Sequence, residues 1–170
     1  MKKFIAIAGN IGVGKSTLVK MLCDHLDWKP FYEPVTENPY LEDFYEDMKT
    51  WSFHSQVYFI TQRLRAHRTL IDYPYSVIQD RTVYEDAEIF ARNLFKQGNF
   101  VERDYRSYQE IYNLLADMLP PPDLVIYLRA SVETLQNRIA QRGREFELQI
   151  SNDYLGNLNT LYEEWIDNFD

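Results

Sequence analysis

Residues 9–16 contain three glycines, a lysine and a serine in the spacing G-x-x-x-x-G-K-S. Glycine lets successive backbone N–H groups turn toward one anion, and a helix beginning at the lysine would add the partial positive charge of its N-terminus. The lysine could reach the β- and γ-phosphates, and the serine hydroxyl could bind Mg²⁺. The stretch therefore predicts a nucleoside triphosphate site formed by Gly9, Asn10, Ile11, Gly12, Val13, Gly14, Lys15, Ser16 and Thr17.

Charged side chains also follow two other apolar runs. The run at 29–35 contains Glu33, and the run at 75–80 is followed by the pair Asp80 and Arg81. Ligands of an open parallel sheet bind beyond the carboxyl ends of its strands, so we expect these side chains near the phosphate loop. Glu33 could take the proton of an acceptor hydroxyl, while Arg81 could join Lys15 in stabilising the transferred phosphoryl group. Asp80 could share a magnesium ion with Ser16, although either acid could instead be a solvated loop residue.

An arginine cluster follows the last apolar run. Arg138 and Arg142 lie four residues apart on a predicted helix, and Arg144 follows a glycine that permits a bend. One interpretation is an exposed helix end whose charges pair with nearby glutamates. The interpretation we favour is a lid over about residues 138–150, which closes these cations over the triphosphate.

The elements that must position these residues alternate along the chain. Apolar, β-rich runs occur at 4–8, 29–35, 75–80 and 123–128, and helical patterns occur at 16–26, 51–71, 83–97, 105–118 and 131–142. Near-continuous apolar runs are typical of parallel strands covered on both faces. The alternation predicts a three-layer α/β domain with a parallel sheet flanked by helices.

Helical spacing also predicts which faces are buried. Leu18, Leu22 and Leu26 recur at intervals of four, which predicts the buried face of the first helix. A second apolar stripe runs along 105–118 and comprises Ile111, Leu114, Leu115 and Met118. Cys23 is expected to be a small buried hydrophobe.

Composition limits the possible functions. The chain has 170 residues, which suits one domain over 1–170, and 45% of them are apolar. A net charge of −8 argues against nucleic acid or an anionic membrane as the main partner. A single cysteine fits a reducing compartment, and the apolar run after Met1 is too short for a signal peptide. We therefore expect a cytoplasmic protein.

Five motifs, GNIGVGKST, EPV, WSFHSQ, DRTVYEDAEIFA and RIAQRGREFE, occur in the order and spacing of the deoxyribonucleoside kinases. The chain resembles that family, including its bacterial deoxyadenosine and deoxyguanosine kinases, from residue 4 to about residue 165. The resemblance implies a P-loop kinase fold with an arginine-rich helical lid. It also implies ATP-dependent, Mg²⁺-requiring phosphorylation of the 5′-hydroxyl of a 2′-deoxynucleoside, in nucleotide salvage.

The resemblance implies roles for particular residues. Glu33 matches the family's general base, Asp80 the acid expected to bind magnesium, and Arg81 an arginine that contacts phosphates and helps hold the base. The pair that bonds the sugar 3′-hydroxyl matches Tyr45 and Glu147. Residues that read the nucleobase match Gln56 and the pair Arg63 and Asp86. By residue type, four aromatic side chains could also enclose the base by stacking, although at least two of them are expected in the core: Trp51, Phe53, Tyr58 and Phe90. Phe59 stands where animal members that accept cytidine carry a small residue.

Two other functions compete with this one. A nucleoside monophosphate kinase of the thymidylate kinase type shares the phosphate loop, but its acceptor phosphate needs no base and calls for extra basic residues. A regulatory nucleotide-binding module would not need Glu33, Gln56 and an arginine lid together. Gln56 beside Arg63 and Asp86 suits a purine, since glutamine can pair with adenine and arginine with guanine; deoxycytidine remains open.

Two expectations concern assembly and the C-terminus. The helices at 51–71 and 83–97 carry more apolar residues than one core face requires, and the resemblance implies a symmetric dimer. The family continues into a fifth strand, whereas this sequence stops at Asp170. The apolar run at 123–128 reads as a strand flanked on both sides, so we expect a longer natural chain.

Overall fold

In the computed structural model, residues 1–33 and 37–168 are described. The strands are β1 (Phe4–Gly9), β2 (Lys29–Phe31), β3 (Val77–Asp80) and β4 (Leu124–Leu128). The helices are α1 (Lys15–Leu26), α2 (Leu41–Glu46), α3 (Met48–Asp72), α4 (Val83–Glu85), α5 (Arg92–Lys96), α6 (Glu102–Met118), α7 (Val132–Arg142) and α8 (Asn152–Asp167). A π-helical segment (Asp86–Ala91), called the π segment, joins α4 to α5, and a 3₁₀ turn (Glu145–Glu147) follows α7.

The sheet is parallel throughout, with strand order β2-β3-β1-β4. On one face, Ile7 of β1 and Ile78 of β3 pack with Val19 and Cys23 of α1. On the other face, Ala8 belongs to a larger apolar cluster built mainly from α3, the π segment, α6, α7 and α8. The predicted three-layer α/β fold is therefore confirmed, and the carboxyl ends of the strands meet at one edge of the sheet.

Two strands are shorter than predicted. β2 spans Lys29–Phe31 instead of 29–35, so Glu33 follows the strand, and residues 34–36 lie outside the described residues. β3 begins at Val77 instead of residue 75. The residue before it, Ser76, accepts a hydrogen bond from the Lys3 backbone N–H with its side-chain oxygen. Neither change moves Asp80 from the end of its strand.

The most buried positions of α1 are offset by one residue from the predicted ones, although Leu18 and Leu22 are half-buried and pack against the same cluster. Lys15, Val19 and Cys23 are the buried residues of this helix, whereas Leu26 is 41% exposed. Both triplets have a four-residue spacing, so periodicity alone could not choose between them. The choice follows from the phosphate loop, which starts the helix at Lys15. Cys23 is buried, as predicted.

The helix predicted at 83–97 is interrupted by the π segment. Asp86, Ala87, Ile89, Phe90 and Ala91 are all buried there, which is more than one face of a regular α-helix would bury. A π turn accommodates one extra residue and often occurs at functional sites. In this protein it begins five residues after Arg81, at the end of α4.

Three residues of the apolar stripe on α6, Ile111, Leu114 and Met118, are exposed, whereas Leu115 packs against the larger cluster. Tyr105 and Tyr108 are the buried residues of this helix, while Leu114 is 68% and Met118 78% exposed. Several apolar residues of the helices predicted at 51–71 and 83–97 are only half-buried, so the interface expected on these helices stays a prediction. Most of their apolar residues pack into the larger cluster.

β4 is not flanked on both sides in the part of the chain that the structure describes. It pairs with β1 alone, and its residues are exposed or half-buried. Across residues 1–33 and 37–168, no helix is both long enough and apolar enough to cross a membrane.

Candidate active site

The phosphate loop has the backbone that its glycines predict. Gly9, Gly12 and Gly14 have φ values of 148°, 78° and 105°, in a region that other residues rarely adopt. A Cβ added at Gly9 would lie 2.8 Å from the carbonyl oxygen of Leu128. The loop is therefore packed tightly against the end of β4, and α1 begins directly after it.

Lys15 is buried beneath the loop, where its Nζ donates a 3.0 Å hydrogen bond to the carbonyl oxygen of Asn10. Burial, reinforced by the positive charge of Arg81, lowers the pKa of Lys15 to about 8. A bound polyphosphate would place negative charge beside this ammonium group and so stabilise its protonated form. Lys15 is thus positioned for the phosphate contacts predicted from the motif.

Ser16 and Asp80 meet at the carboxyl ends of β1 and β3. The Ser16 hydroxyl donates a hydrogen bond to Asp80 Oδ2, and Asp80 Oδ1 is buried without a hydrogen-bond partner among the described residues. An oxygen-only pair of this kind suits Mg²⁺, which commonly keeps waters and substrate phosphates as its other ligands. Residues 1–33 and 37–168 contain no cluster of three or more His, Cys, Asp or Glu side chains that could hold a metal alone.

Glu33 lies at the centre of a buried charge network. Its Oε1 accepts hydrogen bonds from Arg63 Nη2 at 2.6 Å and from Arg81 Nη1 at 3.4 Å. Arg63 Nε in turn donates to Asp86 Oδ2 at 3.0 Å. Arg63 therefore connects the predicted base-reading pair to the predicted general base, a connection that the motif spacing does not predict.

The network sets the charge of both carboxylates. Burial alone would raise the pKa of Glu33, but the positive charges of Arg81, Arg63 and Lys15 outweigh it and lower the pKa to about 2. Burial raises the pKa of Asp86 to about 6, against the opposing charge of Arg63. Glu33 is consequently ionised at neutral pH and able to accept a hydrogen bond from a hydroxyl group.

Arg81 is held in an unusual conformation. Its φ of 64° lies in the left-handed region, which is uncommon for a residue with a side chain. Its guanidinium carbon lies 4.2 Å from the centre of the Phe90 ring, and its Nη2 donates a 3.3 Å bond to the Gly9 carbonyl oxygen. Backbone strain of this kind persists where the surrounding structure fixes it, commonly at functional sites.

These groups surround one cavity of about 690 Å³. Residues of the predicted triphosphate site that line it are Ile11, Gly12, Val13, Gly14, Lys15, Ser16, Thr17, Asp80, Arg138, Arg142 and Arg144. Predicted acceptor-side residues that line it are Glu33, Tyr45, Gln56, Arg81, Asp86, Phe90 and Glu147. The cavity is large enough to hold both substrates of a group-transfer reaction.

Six predicted site residues lie outside the lining, namely Gly9, Asn10, Arg63, Trp51, Phe53 and Tyr58. Gly9 and Asn10 support the loop from behind, and Arg63 is buried behind Glu33 and Asp86. The Trp51 ring stacks on the Tyr40 ring, with 5.9 Å between the ring centres, and its centre lies 5.2 Å from that of the His54 ring. The structure therefore does not bring Trp51 to the cavity, and its predicted contact with a nucleobase has no geometric support.

The acceptor end of the cavity combines polar and aromatic groups. Gln56 is buried, and its Oε1 has no hydrogen-bond partner among the described residues. Phe59 lines the same cavity, and the Tyr45 ring stacks on Phe146 at 6.2 Å. Burial, with the added effect of Tyr154 and Glu147, raises the pKa of Tyr45 well above its usual range. Tyr45 therefore remains a protonated hydrogen-bond donor.

The lid arginines differ in what they contact. Arg138 Nη1 donates a 2.7 Å bond to the carbonyl oxygen of Val13 in the phosphate loop. Arg142 Nε and Arg144 Nη1 instead donate to Glu147, at 2.9 and 3.1 Å. The sequence motifs assign Arg142 and Arg144 to the triphosphate and Glu147 to the sugar. In the structure, these three side chains form one hydrogen-bonded cluster.

Sequence reasoning missed several residues of the site. Tyr154 lines the cavity, and Phe146 supports Tyr45. Both lie within seven residues of Glu147, but their spacing carries no recognisable signal. Glu85 and Tyr162 were also missed, although each contacts Gly9. The Thr82–Glu85 spacing is that of a capping box, which reveals a local structural role but not a contact with a loop 76 residues away.

Comparisons with known proteins agree with this geometry. A family model described as "Deoxynucleoside kinase" matches residues 5–170. The chain is 43% identical over 167 residues to a deoxyadenosine/deoxycytidine kinase from Bacillus subtilis (strain 168), covering 97% of this chain and 77% of that one. It is 38% identical over 160 residues to a deoxyguanosine kinase from the same strain, covering 94% and 76%. A solved structure of deoxyadenosine kinase from M. mycoides, with products dCMP and a flexible dCDP bound, superposes with a TM-score of 0.89 at 39% identity, covering 98% of this chain and 86% of that one.

Proposed function

This chain belongs to the deoxynucleoside kinase family, and from that premise we propose that it transfers the γ-phosphoryl group of ATP to the 5′-hydroxyl of a purine 2′-deoxynucleoside, as a step in nucleotide salvage. The observation that carries the proposal is the position of Glu33. It is an ionised, buried carboxylate in the cavity that also contains the phosphate loop. A hydroxyl acceptor needs such a group, whereas a phosphate acceptor would be repelled by it.

Each side of the cavity has a separate task in this reaction. The loop amides and Lys15 bind the β- and γ-phosphates, and the lid, which we propose covers about residues 138–150, brings Arg138 toward the same groups. Glu33 accepts a hydrogen bond from the 5′-hydroxyl and receives its proton. Arg81, which contacts both Glu33 and Gly9, stabilises charge on the phosphoryl group between them.

The low pKa of Glu33 suits a late proton transfer. In a loose, metaphosphate-like transition state the acceptor oxygen keeps its proton until the phosphoryl group has nearly arrived. A weakly basic carboxylate can orient the hydroxyl through that period without taking the proton early. Mg²⁺ would be held by the Ser16 hydroxyl and Asp80, and when bound it would neutralise charge on the phosphate oxygens.

Sugar and base recognition follow from the acceptor end. We propose that Tyr45 and Glu147 bond the sugar 3′-hydroxyl, since both line the cavity and Tyr45 keeps its proton. The unpartnered Gln56 Oε1 and the Arg63–Asp86 pair offer the nucleobase both acceptors and donors. The relatives named for deoxyadenosine, deoxycytidine and deoxyguanosine support the same range of substrates.

A substrate panel tests the proposal. The purified chain is incubated with Mg-ATP and each of the four deoxynucleosides or their monophosphates, and ADP release is measured. We expect the highest kcat/KM with deoxyadenosine or deoxyguanosine. Highest kcat/KM with thymidine would overturn the purine preference, and turnover of monophosphates alone would favour the rival monophosphate kinase.

The exposed stripe on α6 supports a dimer, which the family resemblance also implies. Ile111, Leu114 and Met118 are exposed on one helix, a pattern that commonly marks an interface. We expect light scattering at micromolar concentration to give twice the monomer mass. Leu114→Glu should reduce it to the monomer mass, while Leu26→Glu on α1, in the opposite layer, should leave the dimer intact. A wild-type monomer would contradict the proposal.

We further propose that the reaction takes place in the cytoplasm. The single cysteine, Cys23, is buried and unpaired, which fits a reducing compartment.

A further inference from the structure

Glu85 is a buried carboxylate outside the cavity lining. It is fully buried, and its two oxygens receive hydrogen bonds from three different parts of the chain. Oε1 accepts the backbone N–H of Gly9 at 3.2 Å, and Oε2 accepts the backbone N–H of Thr82 at 2.9 Å. The Tyr162 hydroxyl of α8 donates to Oε1 at 2.8 Å. One side chain thereby connects the end of β1, the N-cap residue of α4, and α8.

The two peptide groups that Glu85 binds both adjoin the reaction site. Gly9 is the last residue of β1 and the first of the phosphate loop, and its φ of 148° is fixed by close contact with β4. Thr82 directly follows Arg81, whose backbone is in the strained left-handed region. The bond from the Thr82 N–H therefore fixes the peptide at which the Arg81 strain would otherwise relax.

The Tyr162 hydroxyl lies close to both Gly9 and Glu85. Its oxygen is 2.8 Å from the Gly9 carbonyl oxygen as well as from Glu85. A hydroxyl has only one proton, and the Gly9 carbonyl oxygen has a second donor in Arg81 Nη2 at 3.3 Å. Tyr162 can therefore donate to Glu85 while Arg81 donates to Gly9, so that each of these groups has a partner. Glu85, Gly9 and the Arg81–Thr82 backbone then form one closed ring of hydrogen bonds and covalent bonds, and Tyr162 supports this ring by donating to Glu85.

We propose that Glu85, together with Tyr162, is a positioning pair that fixes the phosphate loop and Arg81 relative to one another. Neither side chain lines the cavity, so the pair acts through Gly9 and Arg81. The donor phosphates rest on the loop, and Arg81 contacts Glu33 on the acceptor side. The inference rests on the proposed function, because it assigns the pair a role in aligning the two substrates of that reaction.

Two substitutions test the pair with little change of shape. Glu85→Gln places an amide NH₂ where the ring requires an acceptor, since every neighbouring group donates to this side chain. Tyr162→Phe removes only the hydroxyl and keeps the stacking of the ring on Tyr127, at 5.5 Å. Asp123→Asn is the matched control, because the Asp123 carboxylate accepts the Phe4 N–H at 2.8 Å at the opposite end of the same strand.

We expect each substitution to lower kcat by about 10–10²-fold, the cost of small misplacements of reacting groups. The KM for the deoxynucleoside should stay within about threefold, because the base-reading groups are untouched. The double variant should lose little more than either single variant, since both disturb the hydrogen bonds of the same carboxylate. Asp123→Asn should keep the wild-type kcat even where its melting temperature falls.

Calorimetric titration with a non-hydrolysable Mg-ATP analogue gives a second measurement that needs no turnover. Affinity should fall in both variants and not in the control. If wild-type protein binds the analogue but phosphorylates no deoxynucleoside, the proposed function fails and this comparison still tests the pair. If folded Tyr162→Phe matches wild type in both kcat and affinity, the pair is only structural and the inference is overturned, even if Glu85→Gln does not fold.

Discussion

Glu33→Gln should lower kcat by about 10²–10⁴-fold, the range that general-base catalysis typically contributes. The amide keeps the size of the side chain and can still accept a hydrogen bond, but it cannot take the proton of the 5′-hydroxyl. It also leaves Arg63 and Arg81 without the charge that lies between them, at 2.6 and 3.4 Å. Steady-state turnover with saturating Mg-ATP and the best deoxynucleoside of the panel is the measurement.

The variant must still fold and bind ATP for this result to be informative. Glu37→Gln is a suitable control, because Glu37 lies nearby in the chain and its side chain is exposed. Near-normal turnover in Glu33→Gln would show that another group takes the proton. An acid limb near pH 6 that persists in this variant would belong to Asp86, whose pKa burial raises to about 6.

Lys15→Ala should reduce kcat/KM for ATP by at least about 10²-fold, since a preorganised donor in a buried site is typically worth that much. The substitution removes the positive charge beneath the loop together with its 3.0 Å bond to Asn10. The loss should appear both in calorimetric affinity for an ATP analogue and in kcat, because the same charge serves the bound phosphates and the transition state.

Lys20→Ala on the same helix is the matched control for this prediction. Lys20 is exposed and pairs with Asp24, so both ATP affinity and kcat should remain at wild-type values. The pH dependence provides a further check. Because the pKa of Lys15 is lowered to about 8, free wild-type enzyme loses this charge above pH 8 and its affinity for the analogue should decline there. Persistence of that decline in Lys15→Ala would assign it to a different group.

The parts of the site that the sequence predicts are those set by backbone geometry. The glycine spacing of the loop dictates where α1 begins, and the ends of apolar runs place Asp80 and Arg81 at the correct edge of the sheet. Both inferences need only the rule that parallel strands present their carboxyl ends together. The fold class follows from the same alternation of strands and helices.

The parts that it does not predict depend on side chains meeting across the fold. Arg63 was expected to pair with Asp86, but its second bond to Glu33 joins residues 30 positions apart. Glu147 collects two arginines because the 3₁₀ turn brings it back over the end of α7, a bend that helical periodicity cannot describe. The exposure of Ile111, Leu114 and Met118 on α6 could not be predicted either. An apolar helix face has the same sequence pattern whether it packs on the core or on another surface.

The π segment has a consequence for how this part of the chain would tolerate a deletion. A π turn widens the helix so that one extra residue fits, while the residues before and after it keep nearly the register of a continuous α-helix. Removing one residue between Asp86 and Ala91 would therefore restore regular α-helical spacing and leave the direction of Asp86 relative to α5 nearly unchanged. The deletion would instead remove the wide turn in which Asp86, Ala87, Ile89, Phe90 and Ala91 are all buried.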